Sequence, residues 1–439
     1  MATRETPRGV EATGFADPEK KLIENCPLVI TTIECRPKDK KTYEFDYKIA
    51  GDPKDKDALF LKDIRESTRK EEGSGFFSCG GTTYKVYEGT AVDNLGTVID
   101  EIADQRGASH CILYAHGLGS DPENTIKTAG DMNDYFSKGD EGKRAFVVPI
   151  CWPAEEKKVT CREGPMAFVH SYVGQKEDAK GAATAMRSVL QSLNEAKANR
   201  KKPMHTKIAM MAHSMGNFVL KRFAPEGSDF KPDDFKFCAC FMVAADVRSS
   251  TFSECPEAYV PKEKAVKEKL VKESDKPPVD DKGNVIKDAN GHVKNFDHDG
   301  VDICRVVDGK VHIVHHSGDL ALLGRRFPMF GNTGKNDFWL GRRALGKDGP
   351  DFKGKPLDCD ECLHPKTSEE PYVSGHLVDE SSLHPDCQGK KLVWTDGKYF
   401  HNEFGFGRDP LGHSYQYGAK ICDYYLGALG LPKPSDPKK

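Results

Sequence analysis

A serine placed between an apolar strand and a helix is the first residue of this chain that could act as a nucleophile. Ser214 lies in the segment MMAHSMGNF, where its flanking turn reads Ala212-His213-Ser214-Met215-Gly216. A small-x-Ser-x-Gly turn with a strand before it and a helix after it is typical of a nucleophile elbow, because the sharp turn leaves no room for flanking side chains. The alternative is an ordinary serine at a helix N-cap.

The residues that would activate Ser214 must follow it if the chain order is serine, acid, histidine. Two aspartates end apolar runs, Asp246 in FMVAAD and Asp319 in VHIVHHSGD. The acid more often follows the later strand, so Asp319 is the favoured acid and Asp246 is the alternative acid. His413, in a glycine-bearing loop before the last amphipathic helix, is the predicted base among the downstream histidines, which are His364, His376, His384, His401 and His413.

A glycine-bearing strand end earlier in the chain predicts the place where an oxyanion would bind. The segment YAHGLGS ends an apolar run with Gly117 and Gly119, which allow the backbone to approach a substrate closely. The backbone amides of Leu118 and Met215 are the predicted donors to the charge that develops on a carbonyl oxygen. A glycine turn with no part in catalysis is the alternative.

The chain also carries a set of cysteines and histidines with the spacing C-x2-C followed by H-x2-C. Cys359, Cys362, His384 and Cys387 could hold a structural zinc ion in tetrahedral geometry. Free thiols in a loop, or a disulfide in an exported protein, are the other interpretations. Other cysteines lie in apolar runs, where a reduced thiol packs as a small hydrophobic group: Cys111, Cys151, Cys238, Cys240 and Cys304.

The elements that must position these residues alternate between strands and helices from about residue 92. Continuous apolar strands separated by helices indicate a mainly parallel sheet with both faces covered. The clearest helix is predicted over 175–200, where one face is apolar: Ala183, Met186, Val189, Leu190 and Leu193. The candidate nucleophile, acid and oxyanion loop all follow predicted strands, so the sheet would gather them at one edge.

The order of these patterns divides the chain into a core with additions. We predict an N-terminal extension with β-strands (1–91), a first part of the core (92–252), a charged insertion or lid (253–300), a continuation of the core (301–345), a Cys/His-rich insertion (346–390), and a C-terminal core with the candidate base and the final helix (391–439).

Five short motifs together resemble a known family of α/β-hydrolases. The segments AHSMGNFVL, PICWP, VAADV, HHSGDLALLGRR and LGHSYQY are similar to the α/β-hydrolases of unknown function called DUF900. The resemblance implies an α/β-hydrolase fold, a mainly parallel central sheet flanked by helices, and Ser214, Asp319 and His413 at the triad positions. The chain departs from the family where Cys151 replaces a serine before the tryptophan and where HGLGS replaces an HGYN type of segment.

Composition excludes several other classes of function. The chain has 439 residues, 37 % of them hydrophobic and 30 % charged, and its formal net charge is -3. The mixed charge gives no basic surface for nucleic acid. No run approaches the roughly eighteen apolar residues of a transmembrane segment, and the first residues lack the apolar centre of a signal peptide. We therefore expect a cytoplasmic protein, while the oligomeric state is not encoded in any pattern.

The predicted activity is that of a serine hydrolase of the carboxylesterase or lipase type. It would cleave a small-molecule ester, thioester or other acyl substrate through an acyl-enzyme, with no cofactor for catalysis. An acyltransferase with the same triad is one alternative, since only the final acceptor differs. A non-catalytic binding protein with a hydrolase fold is the other.

Overall fold

The computed structural model describes the core of the chain and several shorter segments on either side of it in the sequence. It describes residues 25–37, 42–46, 59–63, 75–79, 82–87, 95–154, 165–199, 203–223, 234–247, 303–316, 376–377, 392–396 and 415–434, together with Phe252, Leu322, Phe400 and His413.

The described strands form one continuous sheet. In chain order they are β1 Leu28–Thr31, β2 Glu34–Pro37, β3 Thr42–Asp46, β4 Leu59–Asp63, β5 Gly75–Cys79, β6 Thr82–Tyr87, β7 Ala108–Ala115, β8 Arg144–Cys151, β9 Lys207–His213, β10 Phe237–Val243, β11 Val307–His315, β12 His376–Leu377 and β13 Leu392–Asp396. Their spatial order is β12-β13-β11-β10-β9-β7-β8-β1-β4-β6-β5-β3-β2.

The centre of this sheet is parallel. The seven neighbouring strands from β13 through β11, β10, β9, β7 and β8 to β1 all run in the same direction. The predicted mainly parallel sheet is therefore confirmed. β1 comes from the predicted N-terminal extension and joins the parallel core beside β8, while β4, β5 and β6 continue the sheet with antiparallel pairing.

The strand order reverses between β7 and β9, and this reversal creates the crevice in which a ligand can bind. From β7 the chain first goes to β8 on one side, and it then returns to β9 on the other side of β7. The loops that leave two such strands diverge to opposite faces, so a crevice opens at their carboxyl ends. Gly117 follows β7 and Ser214 follows β9, so both residues lie at this crevice.

Five described helices cover the two faces of the sheet: α1 Leu95–Arg106, α2 Pro122–Phe136, α3 Pro165–Ala198, α4 Gly216–Phe223 and α5 Ala419–Ala428. Apolar residues of α1, α3 and α4 pack in one hydrophobic cluster, and those of α2 and α5 pack in a second cluster across the sheet. The predicted apolar face of the long helix α3 is buried in the first cluster.

The central strands are apolar on both sides because helices cover both faces. In β7, Cys111 and Leu113 face the cluster of α1, α3 and α4, while Ile112 and Tyr114 face the cluster of α2 and α5. Successive side chains of a strand point to opposite faces, so a strand covered twice has no polar alternation. This is the physical reason why the central strands could be recognised as continuous apolar runs.

The start of α2 fixes the end of the loop that follows β7. Asp121 is the N-cap residue, and its carboxylate accepts a hydrogen bond from the amide of Asn124 at 2.7 Å. Pro122 occupies the first turn, where its fixed φ suits a helix and its missing amide is not needed. The glycine-bearing segment before Asp121 is thus held between a buried strand and a well-capped helix.

The described cysteines correct one part of the thiol prediction. Cys111, Cys151, Cys238 and Cys240 are not disulfide-bonded, as expected for cysteines in apolar strands. Cys304 is disulfide-bonded, so the prediction of a reduced thiol is wrong at this position. Among the helices that the structure describes, none has both the length and the apolar character needed to cross a membrane.

Candidate active site

Ser214 occupies a sharp turn with an unusual backbone conformation. β9 ends at His213 and α4 begins at Gly216, and the intervening Ser214 has a φ of 51°. A left-handed φ is costly for a residue with a side chain and is found mainly where surrounding structure enforces it, often at functional sites. An N-cap residue has its φ in the β region, so this conformation argues against an ordinary helix cap.

The glycine two residues after Ser214 is required by the close approach of the start of α4 to the end of β7. A Cβ atom on Gly216 would lie 2.5 Å from the carbonyl oxygen of Ala115 and 2.5 Å from that of His116. Both oxygens belong to the backbone at the end of β7 and cannot move aside as a side chain could. The small residue at this position therefore allows the serine turn to sit directly against β7.

Hydrogen bonds from two directions hold the turn in place. The amide of Ser214 donates to the carbonyl of Val243 at 3.0 Å, and the carbonyl of Ser214 accepts from the amides of Asn217 and Asp246, each at 3.1 Å. The side-chain amide of Asn217 donates to the carbonyls of Ala212 at 2.9 Å and of Ser214 and Val243 at 3.2 Å each. Asn217 thereby ties β9, the turn and β10 together.

The same hydrogen bonds orient the amide of Met215. In a trans peptide the C=O and the N–H point in opposite directions, and the described residues contain no cis peptide bond. Because the Ser214 carbonyl is directed toward Asn217 and Asp246, the Met215 N–H of that peptide unit points away from them. The backbone thus fixes the direction of this predicted oxyanion donor.

The loop after β7 lies against the Ser214 turn. A Cβ atom on Gly117 would lie 2.8 Å from Cβ of Ser214 and 2.9 Å from Nδ1 of His213. The amide of Gly119, which has a φ of 70°, donates to the carbonyl of Ala154 at 3.3 Å. The structure therefore brings Gly117 to Ser214, while the Gly119 amide is used within the protein.

His116 fixes the direction of the next peptide in this loop. Its Nδ1 donates to the Gly117 carbonyl at 2.9 Å, and its Nε2 accepts from the backbone amide of Trp152 at 3.2 Å. The ring stacks on Trp152 at 5.1 Å, and burial lowers the pKa of His116 to about 4. Because the Gly117 carbonyl points to His116, the N–H of Leu118 points the other way.

Sequence reasoning did not assign any role to His116. A signal was present in YAHG, where a histidine follows an apolar strand, and in ICWP, where a tryptophan follows the neighbouring strand, because β7 and β8 are paired. The neutral ring satisfies one acceptor and one donor at once, which requires hydrogen on Nδ1 and a lone pair on Nε2. This pairing becomes visible only after the two strands are aligned.

Acidification should reduce the free energy of unfolding, and asparagine at position 116 should remove part of this dependence. An unfolded histidine titrates near about 6.5, whereas folded His116 titrates at about 4. The unfolded chain therefore binds one more proton between these values, so stability is lost as the pH falls. For His116 alone the loss is about 1.4 kcal/mol for each pH unit below about 6.5.

Urea unfolding of the wild type and of His116→Asn between about pH 7 and 5 measures this difference. His312, whose pKa burial lowers to about 3, is unchanged in both proteins and contributes equally to each slope. The variant should be less stable at neutral pH, because the Trp152 amide loses its acceptor, but its pH slope should be shallower by one proton. Equal slopes would show that His116 is not buried as a neutral ring.

The candidate base His413 lies beside the residue that precedes Ser214. The ring centroids of His213 and His413 are 4.8 Å apart, and Nε2 of His213 lies 3.0 Å from the carbonyl oxygen of His413. Burial, and secondly the neighbouring His413, hold the pKa of His213 well below its ordinary value. No local sequence pattern indicates this contact between His213 and His413.

The segment that follows His413 is anchored at several points. The Tyr415 hydroxyl donates to the carbonyl of Val314 at 3.4 Å, near the end of β11. The carbonyl of Gln416 accepts from the hydroxyl of Tyr425 in α5 at 3.0 Å, and its side chain hydrogen-bonds Tyr114 in β7. Contacts with two strands and one helix thus hold this segment over the carboxyl edge of the sheet.

The structure describes one of the two candidate acids. Asp246 is buried just after β10, and its amide donates to the Ser214 carbonyl, so this residue lies next to the turn. Asp319 lies outside the described residues; it follows β11, the strand beside β10.

The predicted zinc ligands Cys359, Cys362, His384 and Cys387 also lie outside the described residues. Within the described part of the chain, no three His, Cys, Asp or Glu side chains are arranged to hold a metal ion. The zinc prediction therefore stays a prediction.

The parallel sheet, the flanking helices and the turn at Ser214 define an α/β-hydrolase fold. The family model described as "Alpha/beta hydrolase of unknown function (DUF900)" matches residues 92–275, which confirms the resemblance that the motifs indicated.

Two further comparisons add little to this assignment. No curated protein matches the chain. A solved structure titled "RedJ with PEG molecule bound in the active site" is similar at 10 % identity and a TM-score of 0.21, covering 48 % of this chain and 70 % of that one. At that TM-score the similarity supports no statement about this protein.

Proposed function

We propose that this protein is a serine hydrolase that cleaves a carboxylic ester or thioester through an acyl-enzyme intermediate. The observation that carries the proposal is the turn at Ser214, with its φ of 51°, which packs against Gly117 and whose preceding residue, His213, contacts His413. Nucleophilic acyl transfer needs a serine held on a strained turn and a histidine that can accept its proton. Here the serine has a left-handed backbone at the crevice of a parallel sheet, and the candidate histidine comes from a distant segment of the chain.

In the proposed reaction, His413 removes the proton from Ser214 Oγ as the oxygen attacks the substrate carbonyl. The negative charge that forms on the carbonyl oxygen is stabilised by the amides of Leu118 and Met215. His413 then protonates the leaving alcohol or thiol, and an acyl group remains on Ser214. Water, activated by the same histidine, attacks the acyl-enzyme and releases the acid.

An acid beside His413 would hold its imidazole in the tautomer that accepts the serine proton. Asp319 is the proposed acid because it follows β11, and Asp246 is the alternative because it is buried beside the turn. Peptide geometry supports Leu118 and Met215 as the proposed oxyanion donors. The carbonyls of Gly117 and Ser214 are held by hydrogen bonds on the opposite side of each peptide from these N–H groups.

Labelling with a fluorophosphonate probe tests the nucleophile without knowledge of the substrate. Folded wild-type protein should be labelled on Ser214, and Ser214→Ala should not be labelled at all. Hydrolysis of p-nitrophenyl esters of increasing acyl length should fall by about 10⁴-fold or more in the same variant. A wild type that is neither labelled nor faster than Ser214→Ala on any ester would refute the hydrolase proposal.

The same assay separates the two candidate acids. Asp319→Asn and Asp246→Asn each keep the size of the side chain and remove its charge. The variant that lacks the true acid should lose about 10⁴-fold in labelling rate, as expected when the base is held in the wrong tautomer. The other variant should change the rate little, although Asp246→Asn can still lower stability because Asp246 is buried. Labelling at the wild-type rate in both variants would exclude both residues as the acid.

A further inference from the structure

His213 contacts three parts of the candidate active site. It precedes Ser214 in the chain, its Nδ1 would lie 2.9 Å from a Cβ atom placed on Gly117, and its Nε2 lies 3.0 Å from the His413 carbonyl oxygen. Its side chain is buried, with 5 % relative exposure.

The partners of His213 determine where its hydrogen resides. A carbonyl oxygen can only accept, so Nε2 of His213 must carry the hydrogen that is donated to His413. A neutral imidazole has a single N–H, so Nδ1, which faces Gly117, carries no hydrogen. Burial and the neighbouring His413 favour this neutral form. His213 therefore donates one hydrogen bond, from Nε2 to the backbone carbonyl of the candidate base His413.

This contact is made to the candidate base residue itself. The other anchors of the segment act at Tyr415 and Gln416, further along the chain from His413. His213, in contrast, belongs to the end of β9, whose position is fixed by pairing with β7 and β10 on both sides. A bond from this strand end to the His413 carbonyl ties the base directly to the element that carries Ser214.

We propose that His213 is a positioning residue for His413: its Nε2–H holds the His413 backbone carbonyl and so sets the distance between the candidate base and Ser214. The kinetic consequence rests on the proposed function, whereas the hydrogen bond does not. Without this donor, the fold and the segment anchored at Tyr415 and Gln416 remain, but the His413 carbonyl loses its hydrogen bond to the end of β9.

Two substitutions separate the donor from the ring. His213→Gln retains an N–H group at a similar reach, while His213→Phe retains the ring and its contact with His413 but removes the donor. We expect His213→Phe to lower kcat by about 10²-fold, the size of a misplaced catalytic group, with KM changed less than about threefold. His213→Gln should restore most of this loss.

His205→Gln is the matched control, because it makes the same change just before the other end of β9. His205 is half exposed and contacts Asp100 and Asp104, far along the strand from Ser214. It should leave kcat unchanged. If His213→Phe is as fast as the wild type, or if His213→Gln is as slow as His213→Phe, the donor has no positioning role and the proposal is wrong.

NMR spectroscopy with ¹⁵N-labelled histidine tests the hydrogen bond independently of catalysis. In the wild type, the His213 signal, assigned by its absence from His213→Gln, should be that of a neutral Nε2–H ring even at about pH 5, below the ordinary histidine pKa of about 6.5. The titratable groups that act on this ring are His413 and His116, and both are followed in the same spectra.

The two experiments distinguish the failure of each proposal. If the wild type shows no labelling at Ser214 but His213 carries its hydrogen on Nε2 and stays neutral, the proposed function fails and the positioning contact stands. A hydrogen on Nδ1 of His213, or a His213 that titrates like an exposed histidine, would overturn the inference whether or not the protein is an enzyme.

Discussion

Replacing Gly216 with alanine is expected to destroy the nucleophile turn. The added Cβ would lie 2.5 Å from each of the carbonyl oxygens of Ala115 and His116, a distance that real Cβ contacts do not show. These oxygens end β7 and are held by its neighbours in the sheet, so the turn itself must move. We expect a loss of about 3 kcal/mol or more in the free energy of unfolding and at least about 10²-fold in fluorophosphonate labelling.

Gly430→Ala provides a control for the cost of replacing any glycine. Gly430 has a φ of 71° and open space around its Cα, so its substitution introduces backbone strain without a clash. It should cost about 1–2 kcal/mol and leave labelling of Ser214 unchanged. Urea unfolding and labelling rates of both variants, measured side by side, check the argument. A Gly216→Ala protein that equals Gly430→Ala in both measurements would show that the turn does not pack as described.

Replacing Asn217 with aspartate should also have a large effect, although the two side chains are nearly identical in shape. The Asn217 amide nitrogen faces the carbonyl oxygens of Ala212, Ser214 and Val243, and the side chain is fully buried. A carboxylate there would place negative oxygens against three acceptors with no donor available. An uncompensated buried charge of this kind costs about 3–5 kcal/mol.

The new carboxyl of Asn217→Asp should contribute a pH dependence of stability opposite in sign to that of the buried histidines, so the stability of the variant should rise less with pH than that of the wild type. Burial among acceptors raises the pKa of the new carboxyl, so the folded variant is stable only while that group is protonated. The contribution of this carboxyl is lost as the pH rises above the unfolded aspartate pKa of about 3.9, whereas the buried histidines, which both proteins share, add stability as the pH rises through their titration. Urea unfolding at several pH values measures both slopes.

Asn133→Asp is the matched control for this substitution. Asn133 is a buried asparagine of α2 that donates to the carbonyls of Asn25 and Val147, so the same chemical change is made far from the Ser214 turn. Both variants should be destabilised, but only Asn217→Asp should slow labelling of Ser214 by more than its unfolded fraction explains. Equal labelling per folded molecule in the two variants would mean that Asn217 stabilises the fold without orienting the turn.

Much of the fold could be predicted because its elements have strong local patterns. β7, β8, β9, β10 and β11 are long apolar runs, and helices cover both faces, so each strand is visible without knowledge of its neighbours. By contrast, β4 and β13 contain five residues each, too few for a periodic pattern to distinguish strand from helix. Their assignment depends on pairing with β1, β6 and β11, which is a long-range property.

The candidate site was predictable where a residue type and its immediate neighbours carry the chemistry. The strand–Ser214–glycine–helix pattern and the HGLG segment are local, so they identify the serine turn and the loop that packs on it. The pairings of His116 with Trp152 and of His213 with His413 join residues 36 and 200 positions apart in the chain. No local pattern predicts that His116 contacts Trp152 or that His213 contacts His413.

By itself, the sequence determined that a parallel α/β core would carry Ser214 at a strand end, since apolar continuity and small flanking residues are local requirements of that turn. Only the tertiary structure decided what surrounds the serine: the order of β9, β7 and β8 that opens the crevice, the carbonyls that aim the amides of Leu118 and Met215, and the donor from His213 to the base segment. These depend on hydrogen bonds between strands that meet only after folding, because each buried polar group must find its partner across the sheet.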